Sequence, residues 1–270
     1  MTTGQILRLL APLCAAALAG CVTTTDPDTG GTGFPPDPDA TGTIALGAVS
    51  VEAAAREAAS LTGEVDQATG TFTLGTQSGT LSDDGTGGTL DGGGVLIFEA
   101  GGTEFAVLYE LTPAGAGQTT GIVGIPTETA DLNALGEVNY AGTATLLIED
   151  GNAIYDLSGD ATIEASFDTG TVTATLDGLS GEREAGLASP PASVSDVGVI
   201  TVTGSSIEGA TFSGGTPALV SDEISDLSGS ETLSLEGAFY GPDADELGAS
   251  LVIDDSVSGS VTILGTIIAD

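Results

Sequence analysis

The chain has 270 residues, enough for one large or two small domains, and its 42 glycines with no tryptophan favour an all-β fold with frequent turns. It carries 39 acidic residues against three basic ones and no histidine, for a formal net charge of −36. So few cations cannot neutralise phosphates, which excludes nucleic acid as a partner, and the missing histidines exclude His-ligated zinc and haem sites.

The N-terminus has the layout of a secretory signal peptide. In residues 1–21 (MTTGQILRLLAPLCAAALAGC), Arg8 precedes an apolar run that is too short to span a membrane, and small residues follow. The sequence Leu18-Ala19-Gly20-Cys21 resembles the lipobox of bacterial lipoproteins. That resemblance implies cleavage before Cys21, acylation of its thiol, and an anchor in the outer membrane. The alternative is an ordinary signal peptide with a chance cysteine.

The segment after the cysteine has no hydrophobic period. Residues 22–42 are polar and carry spaced prolines, a composition that predicts a disordered tether between the lipid anchor and the folded body. The tether would hold the body away from the bilayer. Anchor and body are thus separable.

Residues 43–130 are expected to form a smaller, β-rich, handle-like region. The alanine-rich stretch 51–61 is either one short helix or a loop between strands. Residues 95–100 and 104–111 flank Gly101-Gly102-Thr103, which predicts a hairpin. The stretch 82–94 (SDDGTGGTLDGGG) is similar to glycine- and aspartate-rich calcium repeats, but it is out of register and occurs once. We therefore predict no metal site and no cofactor, although calcium is chemically allowed.

Residues 131–270 show much cleaner alternation. From Ala153 to Phe167, apolar and polar side chains alternate without a break, which predicts a long strand with one wet face. With similar segments before and after it, the count reaches eight strands joined mostly by short turns. Eight antiparallel strands can close into a barrel whose interior is filled by side chains.

A membrane-spanning barrel is the alternative architecture. Such barrels need aromatic girdles at both interfaces, and this chain has only seven phenylalanines and four tyrosines. A lipid anchor would also be redundant on a barrel that already spans the membrane. We therefore expect a soluble antiparallel barrel tethered by lipid.

One stretch carries a family resemblance. Residues 237–248 (GAFYGPDADELG) resemble the signature G-x-F-Y/F-G-P-x-A-x-E-x-G-G of the barrel domain in transferrin-binding protein B and related surface lipoproteins. Residues 136–144 and 159–167 are similar to the first two barrel strands of that family, so the likeness covers about half the chain in the right order. Ala249 and Leu251 depart from the family pattern. The residues that match the signature are Gly237, Phe239, Tyr240, Gly241, Pro242, Glu246 and Gly248.

The residues of the signature favour a structural role in a hairpin. Pro242 presets the backbone at the second position of a tight turn, and Gly241 and Asp243 are turn residues. Glu246 could accept backbone N–H groups at the turn. The acids of this stretch are expected to face water.

The resemblance implies a non-enzymatic binding module that captures a protein or a small solute at the cell envelope, without implying transferrin. Specificity would then lie in loops 178–196 and 213–230. A structural or shielding envelope lipoprotein with no defined ligand is the alternative. Catalysis is disfavoured because histidine, lysine and a free cysteine are missing, and a pair of carboxylates is the remaining catalytic option. The body would sit outside the outer membrane, although a periplasm-facing position stays open.

Overall fold

The computed structural model describes residues 42–52, 54–83, 85–99, 102–132, 135–186, 190–255 and 260–270. In these ranges the regular secondary structure is almost entirely β. The predicted signal peptide, Cys21 and nearly all of the predicted tether lie outside the described residues. The one helix in the described ranges, α1 (Thr129–Leu132), is four residues long, so no helix described here is long and apolar enough to cross a membrane.

The first half of the chain forms a closed antiparallel barrel. Consecutive strands pair in chain order, and β1 closes the ring by pairing with both β2 and β8. The predicted β-rich region is thus confirmed, and it is a complete barrel. Its strands are β1 (Thr43–Glu52), β2 (Glu57–Asp66), β3 (Thr71–Leu74), β4 (Gln77–Leu81), β5 (Gly87–Leu90), β6 (Gly94–Phe98), β7 (Ala106–Pro113) and β8 (Thr119–Gly124).

The alanine-rich stretch is not a helix. It contains the end of β1 and the start of β2, which are joined by a tight turn in which Arg56 has a positive φ of 54°. Ten register pairs between the two strands override the high helix propensity of the alanines. The predicted hairpin is confirmed as β6 and β7, which pair from Gly94 to Phe98. The glycine-rich stretch 82–94 contains β5, a short strand that was not predicted from the sequence.

The second half of the chain forms a second antiparallel barrel. Eight strands close a ring through the pairing of β11 with β13, and the short strands β12 and β15 are added at its margin. The predicted eight-stranded barrel is confirmed. The strands are β9 (Glu137–Asp150), β10 (Ala153–Ser166), β11 (Thr171–Ala185), β12 (Ala192–Val194), β13 (Val199–Glu208), β14 (Thr211–Ser213), β15 (Thr216–Val220), β16 (Thr232–Tyr240), β17 (Glu246–Asp254) and β18 (Val261–Ala269).

The interior of the second barrel is packed with side chains. Along β10 the alternating apolar residues are buried, as the period of two predicts, whereas their polar neighbours are partly or fully exposed. Large side chains from around the ring meet in one core. The interior is therefore a hydrophobic core in the sense expected for a small barrel. Its largest fully buried members include Tyr140, Tyr155, Phe239, Leu146, Ile148, Leu157, Ile163, Leu176 and Leu179.

The two barrels pack side by side. The outer face of β16 to β18 lies against β1, β2, β7 and β8, so that every residue of β18 is buried although alternate residues point away from the second core. The apolar part of this junction includes Val49, Ala106, Ile122, Tyr240 and Ile268. Burial on both faces explains why β18 is an almost continuous apolar run.

Candidate functional site

The signature residues lie where the two barrels meet. Phe239 and Tyr240 are successive residues at the end of β16, so they point to opposite faces. Phe239 faces the second core, where its ring centroid lies 5.0 Å from that of Phe167 and 5.3 Å from that of Phe212. Tyr240 faces the first barrel and donates a long hydrogen bond of 3.4 Å to the carbonyl of Ile122. Burial raises the pKa of the Tyr240 phenol, which stays protonated.

Three glycines of the signature permit close packing. A Cβ built on Gly237 would lie 2.0 Å from the Phe212 ring, and one on Gly248 would lie 2.7 Å from Ile122 of the first barrel. At Gly241 the φ of +82° adds a conformational reason, and a Cβ would meet Phe105 at 2.7 Å. Each glycine therefore lets a neighbouring side chain come closer than any other residue would allow.

The turn itself divides into exposed and buried residues. Pro242 is exposed, and so are Asp243 and Asp245, as expected for acids that face water. Glu246, by contrast, is only 4% exposed. The expectation that the acids of this stretch face water is therefore wrong for Glu246. Gly241 donates its backbone N–H to the carbonyl of Ile125 at 3.0 Å, which ties the turn to the segment that links the two barrels.

Glu246 joins the second barrel to the first. Its two carboxylate oxygens accept the backbone N–H of Phe105 at 3.0 and 2.9 Å, and one of them also accepts the hydroxyl of Thr103. The acceptor role foreseen for Glu246 is thus present, but the donors belong to a loop of the first barrel and not to its own turn. Burial raises the pKa of Glu246 despite these hydrogen bonds, and the nearby Asp270 adds to the rise.

Arg56 makes the matching contact at the opposite end of the junction. From the β1–β2 turn, its guanidinium reaches Glu149 and Asp254 of the second barrel, both at 3.3 Å. The first barrel thus supplies the Arg56 cation at one end of the junction, and the second barrel supplies the Glu246 carboxylate at the other end. The apolar contacts lie between these two polar clamps, and this arrangement holds the barrels in one orientation.

The loops expected to carry specificity contain more regular structure than the sequence indicated. Most of segment 178–196 belongs to β11 and β12, and residues 187–189 lie outside the described ranges. Segment 213–230 contains β15, after which residues 221–231 cross the mouth of the second barrel. Strand β11 ends at Ala185, which pairs with Ala153 near Asp150, and loop 221–231 contacts Asp150 and Asp255 at the same barrel end.

The crossing loop 221–231 is fastened at several points. Ser225 donates its N–H at 2.9 Å and its hydroxyl at 3.1 Å to Asp150, and Ser228 donates its N–H to Asp255 at 2.8 Å. Ile224 is buried in the core, and Tyr155 donates to the carbonyl of Glu223 at 3.2 Å. Burial alone would raise the pKa of Asp150, but the hydrogen bonds from Ser225 and Ser260 hold it below its ordinary value. The loop therefore closes the barrel mouth as a fixed surface.

The described residues contain no group of three or more acids, cysteines or histidines arranged to hold a metal ion. The sequence reading missed Arg56, Thr103 and Phe105 as junction residues because their partners lie far along the chain. The near-continuous apolar run of β18 was the one available signal of a covered outer face.

Solved structures of other proteins have a similar architecture. The chain resembles transferrin-binding protein B from Haemophilus parasuis Hp5, solved as a mutant of this vaccine antigen, with 18% identity and a TM-score of 0.55 over 83% of this chain. It also resembles isotype 1 transferrin-binding protein B from serogroup B Neisseria meningitidis, with 16% identity and a TM-score of 0.51 over 83% of this chain. The chain covers 44% and 43% of those two structures, so it spans less than half of their length. A search of the curated proteins gave no match.

The family itself is established by a match within the second barrel. Residues 132–266, which include all the signature residues, match the family of the C-lobe and N-lobe β-barrels of Tf-binding protein B. The likeness to the solved structures gives the same fold. The chain therefore belongs to the family of the transferrin-binding protein B β-barrels.

Proposed function

We propose that this protein is a non-enzymatic binding module that captures a protein ligand at the cell envelope. The observation that carries the proposal is the family match over the second barrel, joined to the first barrel by a fixed junction. The similar solved structures are named for transferrin binding, and this chain spans 44% and 43% of their lengths. The proposal therefore takes the mode of action from the family and leaves the ligand open.

The packing of the second barrel favours a protein ligand over a small solute held inside the barrel. Its interior is occupied by large buried side chains, and loop 221–231 covers the mouth with Ile224 in the core. A ligand would then bind the outer surface. Fixed loops on a rigid scaffold are suited to this task because little ordering entropy is lost on binding.

We further propose that Cys21 carries the lipid anchor and that residues 22–42 hold the body away from the outer membrane, exposed at the cell surface. The lipobox-like sequence Leu18-Ala19-Gly20-Cys21 supports lipidation. The large negative net charge supports an exposed position, because such a surface repels anionic headgroups and stays soluble. In this arrangement the signal peptide spans residues 1–21, the first barrel lies within 43–130, and the second lies within 131–270.

The ligand proposal is tested by affinity capture with the Cys21→Ser full chain, which is not acylated. Host serum and spent culture medium are passed over the immobilised protein at physiological salt. We expect one enriched protein. The control is the Asp160→Asn variant, which lacks an exposed acid outside the loops and should capture the same protein. If no protein is enriched and no melting temperature changes with metals, haem or siderophores, the shielding role stands in place of capture.

The location proposal has its own test. Cells that produce the full chain are treated with protease before and after permeabilisation, and a fatty-acid label is followed on the wild type and on Cys21→Ser. We expect label only on the wild type and cleavage of the body on intact cells. A labelled body that is protected until permeabilisation would place it on the periplasmic side and exclude capture of external proteins.

A further inference from the structure

A narrow groove runs along the outer face of the junction between the barrels. Its floor is apolar and is formed by Val51 of the first barrel and by Leu147 and Leu264 of the second. Gln118 and Thr120 line the side that belongs to the first barrel. The groove encloses about 80 Å³. That is about half of the roughly 150 Å³ that hold a benzene ring in an engineered cavity, so it suits a single alkyl chain and not a ring.

One carboxylate lines the groove, and a second lies beside it on the neighbouring strand. Asp156 lines the groove, and its direct cross-strand partner is Glu182 on the same outer face of the second barrel. Like charges placed directly opposite each other repel. Burial raises the pKa of Asp156, and the charge of Glu182 raises it further. The structure therefore contains a pair of acids whose repulsion a cation at this point would relieve.

The cations of the described chain are engaged elsewhere. The Arg56 guanidinium is paired with Glu149 and Asp254 at the end of the junction. The Arg183 guanidinium lies 5.5 Å from the centre of the Tyr155 ring, and Tyr155 faces the core of the second barrel, away from the groove. Neither guanidinium contributes to the pKa of Asp156. A cation for this pair must then come from another molecule.

We propose that the groove receives a lysine side chain of the protein ligand, with its alkyl stem on the floor and its ammonium beside Asp156 and Glu182. This inference rests on the proposed capture function and names the chemistry of the partner. The four methylenes of lysine suit an apolar groove of this volume. Side chains of this type bury their stem and keep the charged head in a polar environment. Charge complementarity with the acidic surface also speeds encounter with a basic partner.

The test is a titration of the full chain with the peptide Gly-Gly-Lys-Gly-Gly, capped at both ends. The salt concentration is 0.15 M, at which charge–charge attraction is largely screened beyond the Debye length of about 8 Å. The readout is the NMR shift of the methyl groups of Val51, Leu147 and Leu264, with the Ile163 methyl in the second core as the internal reference. We expect saturable shifts of the groove methyl groups alone. The same peptide with an acetylated lysine should bind about tenfold more weakly or not at all, because the charge is lost.

Two variants separate a site from general acidity. Asp156→Asn should weaken peptide binding about tenfold, as loss of a charged partner predicts. Asp160→Asn removes the same charge from the same face of β10, outside the groove, and should leave binding unchanged. Thr120→Leu should block the groove without any change in charge. Equal loss in the two Asn variants, equal binding of the acetylated peptide, or no shift of the groove methyl groups would overturn the proposal.

The remaining outcomes distinguish the partner. Tighter binding of n-butylammonium than of the peptide would assign the groove to a free alkylamine and overturn the polypeptide assignment. If the immobilised Asp156→Asn variant still enriches a protein at the wild-type level, the groove proposal fails while the capture function stands. If capture fails with the wild type but the peptide still binds as expected, the groove is a lysine site without the proposed function.

Discussion

Glu246 in the second barrel accepts the backbone N–H of Phe105 in the first barrel with both carboxylate oxygens, across a separation of 141 residues. The carboxylate is buried, and the hydroxyl of Thr103 donates to it as well. A residue of the stretch 237–248, which resembles the family signature, therefore acts in this chain at the contact between its two barrels. This gives the signature a physical role that can be tested by substitution.

Replacing Glu246 with alanine should destabilise the junction. The N–H of Phe105 loses its acceptor, whereas the Thr103 hydroxyl keeps the carbonyl of Ala106 at 3.2 Å. An unsatisfied buried polar group costs about 1–3 kcal/mol. We expect a lower melting temperature and faster proteolysis near residues 102–105. Asp243→Ala, which removes an exposed acid from the same turn, is the matched control and should melt like the wild type. Equal melting of both variants would contradict the junction role of Glu246.

The pH dependence of stability should reveal the raised pKa of Glu246. A carboxyl whose folded pKa lies above its unfolded value of about 4.5 contributes stability at low pH that is lost as pH rises through the folded pKa. Glu246→Gln has no such dependence. The melting temperature of this variant minus that of the wild type should thus increase as the pH is raised from 4.5 to 7.5. A difference that stays constant over this range would show that the carboxyl does not titrate there.

Arg56 should contribute less than Glu246, because its ion pairs are partly exposed. Arg56→Met keeps an apolar stem and removes the contacts to Glu149 and Asp254, each of 3.3 Å, so we expect a loss of about 1 kcal/mol or less at low salt. The loss should shrink in 1 M NaCl, where the Debye length falls to about 3 Å. Urea unfolding at both salt concentrations measures the loss of unfolding free energy. A loss that does not change with salt would indicate lost packing or a change in the strained turn.

The ring of Phe212 should not tolerate a side chain at Gly237. A Cβ there would lie 2.0 Å from the ring, so Gly237→Ala should cost about 1–3 kcal/mol by overpacking. Gly92→Ala is the control because no atom lies within 4 Å of its Cβ position. Calorimetry of both variants compares the costs. A Gly237→Ala protein as stable as Gly92→Ala would mean that Phe212 moves away freely.

The hairpin turn offers a pair of substitutions with different expected costs. Gly241→Val places a branched side chain at a φ of +82° and against Phe105, so it should lower stability by about 2 kcal/mol or more. Pro242→Ala acts mainly through the freedom of the unfolded chain and should cost about 0.4–1 kcal/mol. Thermal unfolding ranks the two. If both melt like the wild type while ligand capture is lost, this turn is a binding element and not a structural one.

The strands could be predicted where one face is buried and the other is wet. From Ala153 to Ser166 the alternation of burial follows the alternation of residue type, so period two was sufficient to identify β10. The same logic failed at residues 51–61, where cross-strand pairing overrides the high helix propensity of alanine. It also missed β5, since glycines and threonines give no apolar period.

Taken by itself, the sequence determined the all-β class, the eight strands that close the second barrel, and the hairpin that carries the signature-like stretch. These depend on local patterns of residue type, which are visible within a few neighbours. Only the tertiary structure decided that the first region closes into a barrel, that Glu246 is buried, and that Arg56 pairs with Glu149 and Asp254. The reason is that these features depend on contacts between distant parts of the chain. The first barrel closes where β1 pairs with β8, and the partners of Arg56 and Glu246 lie 93 to 198 residues away, beyond the reach of any local pattern.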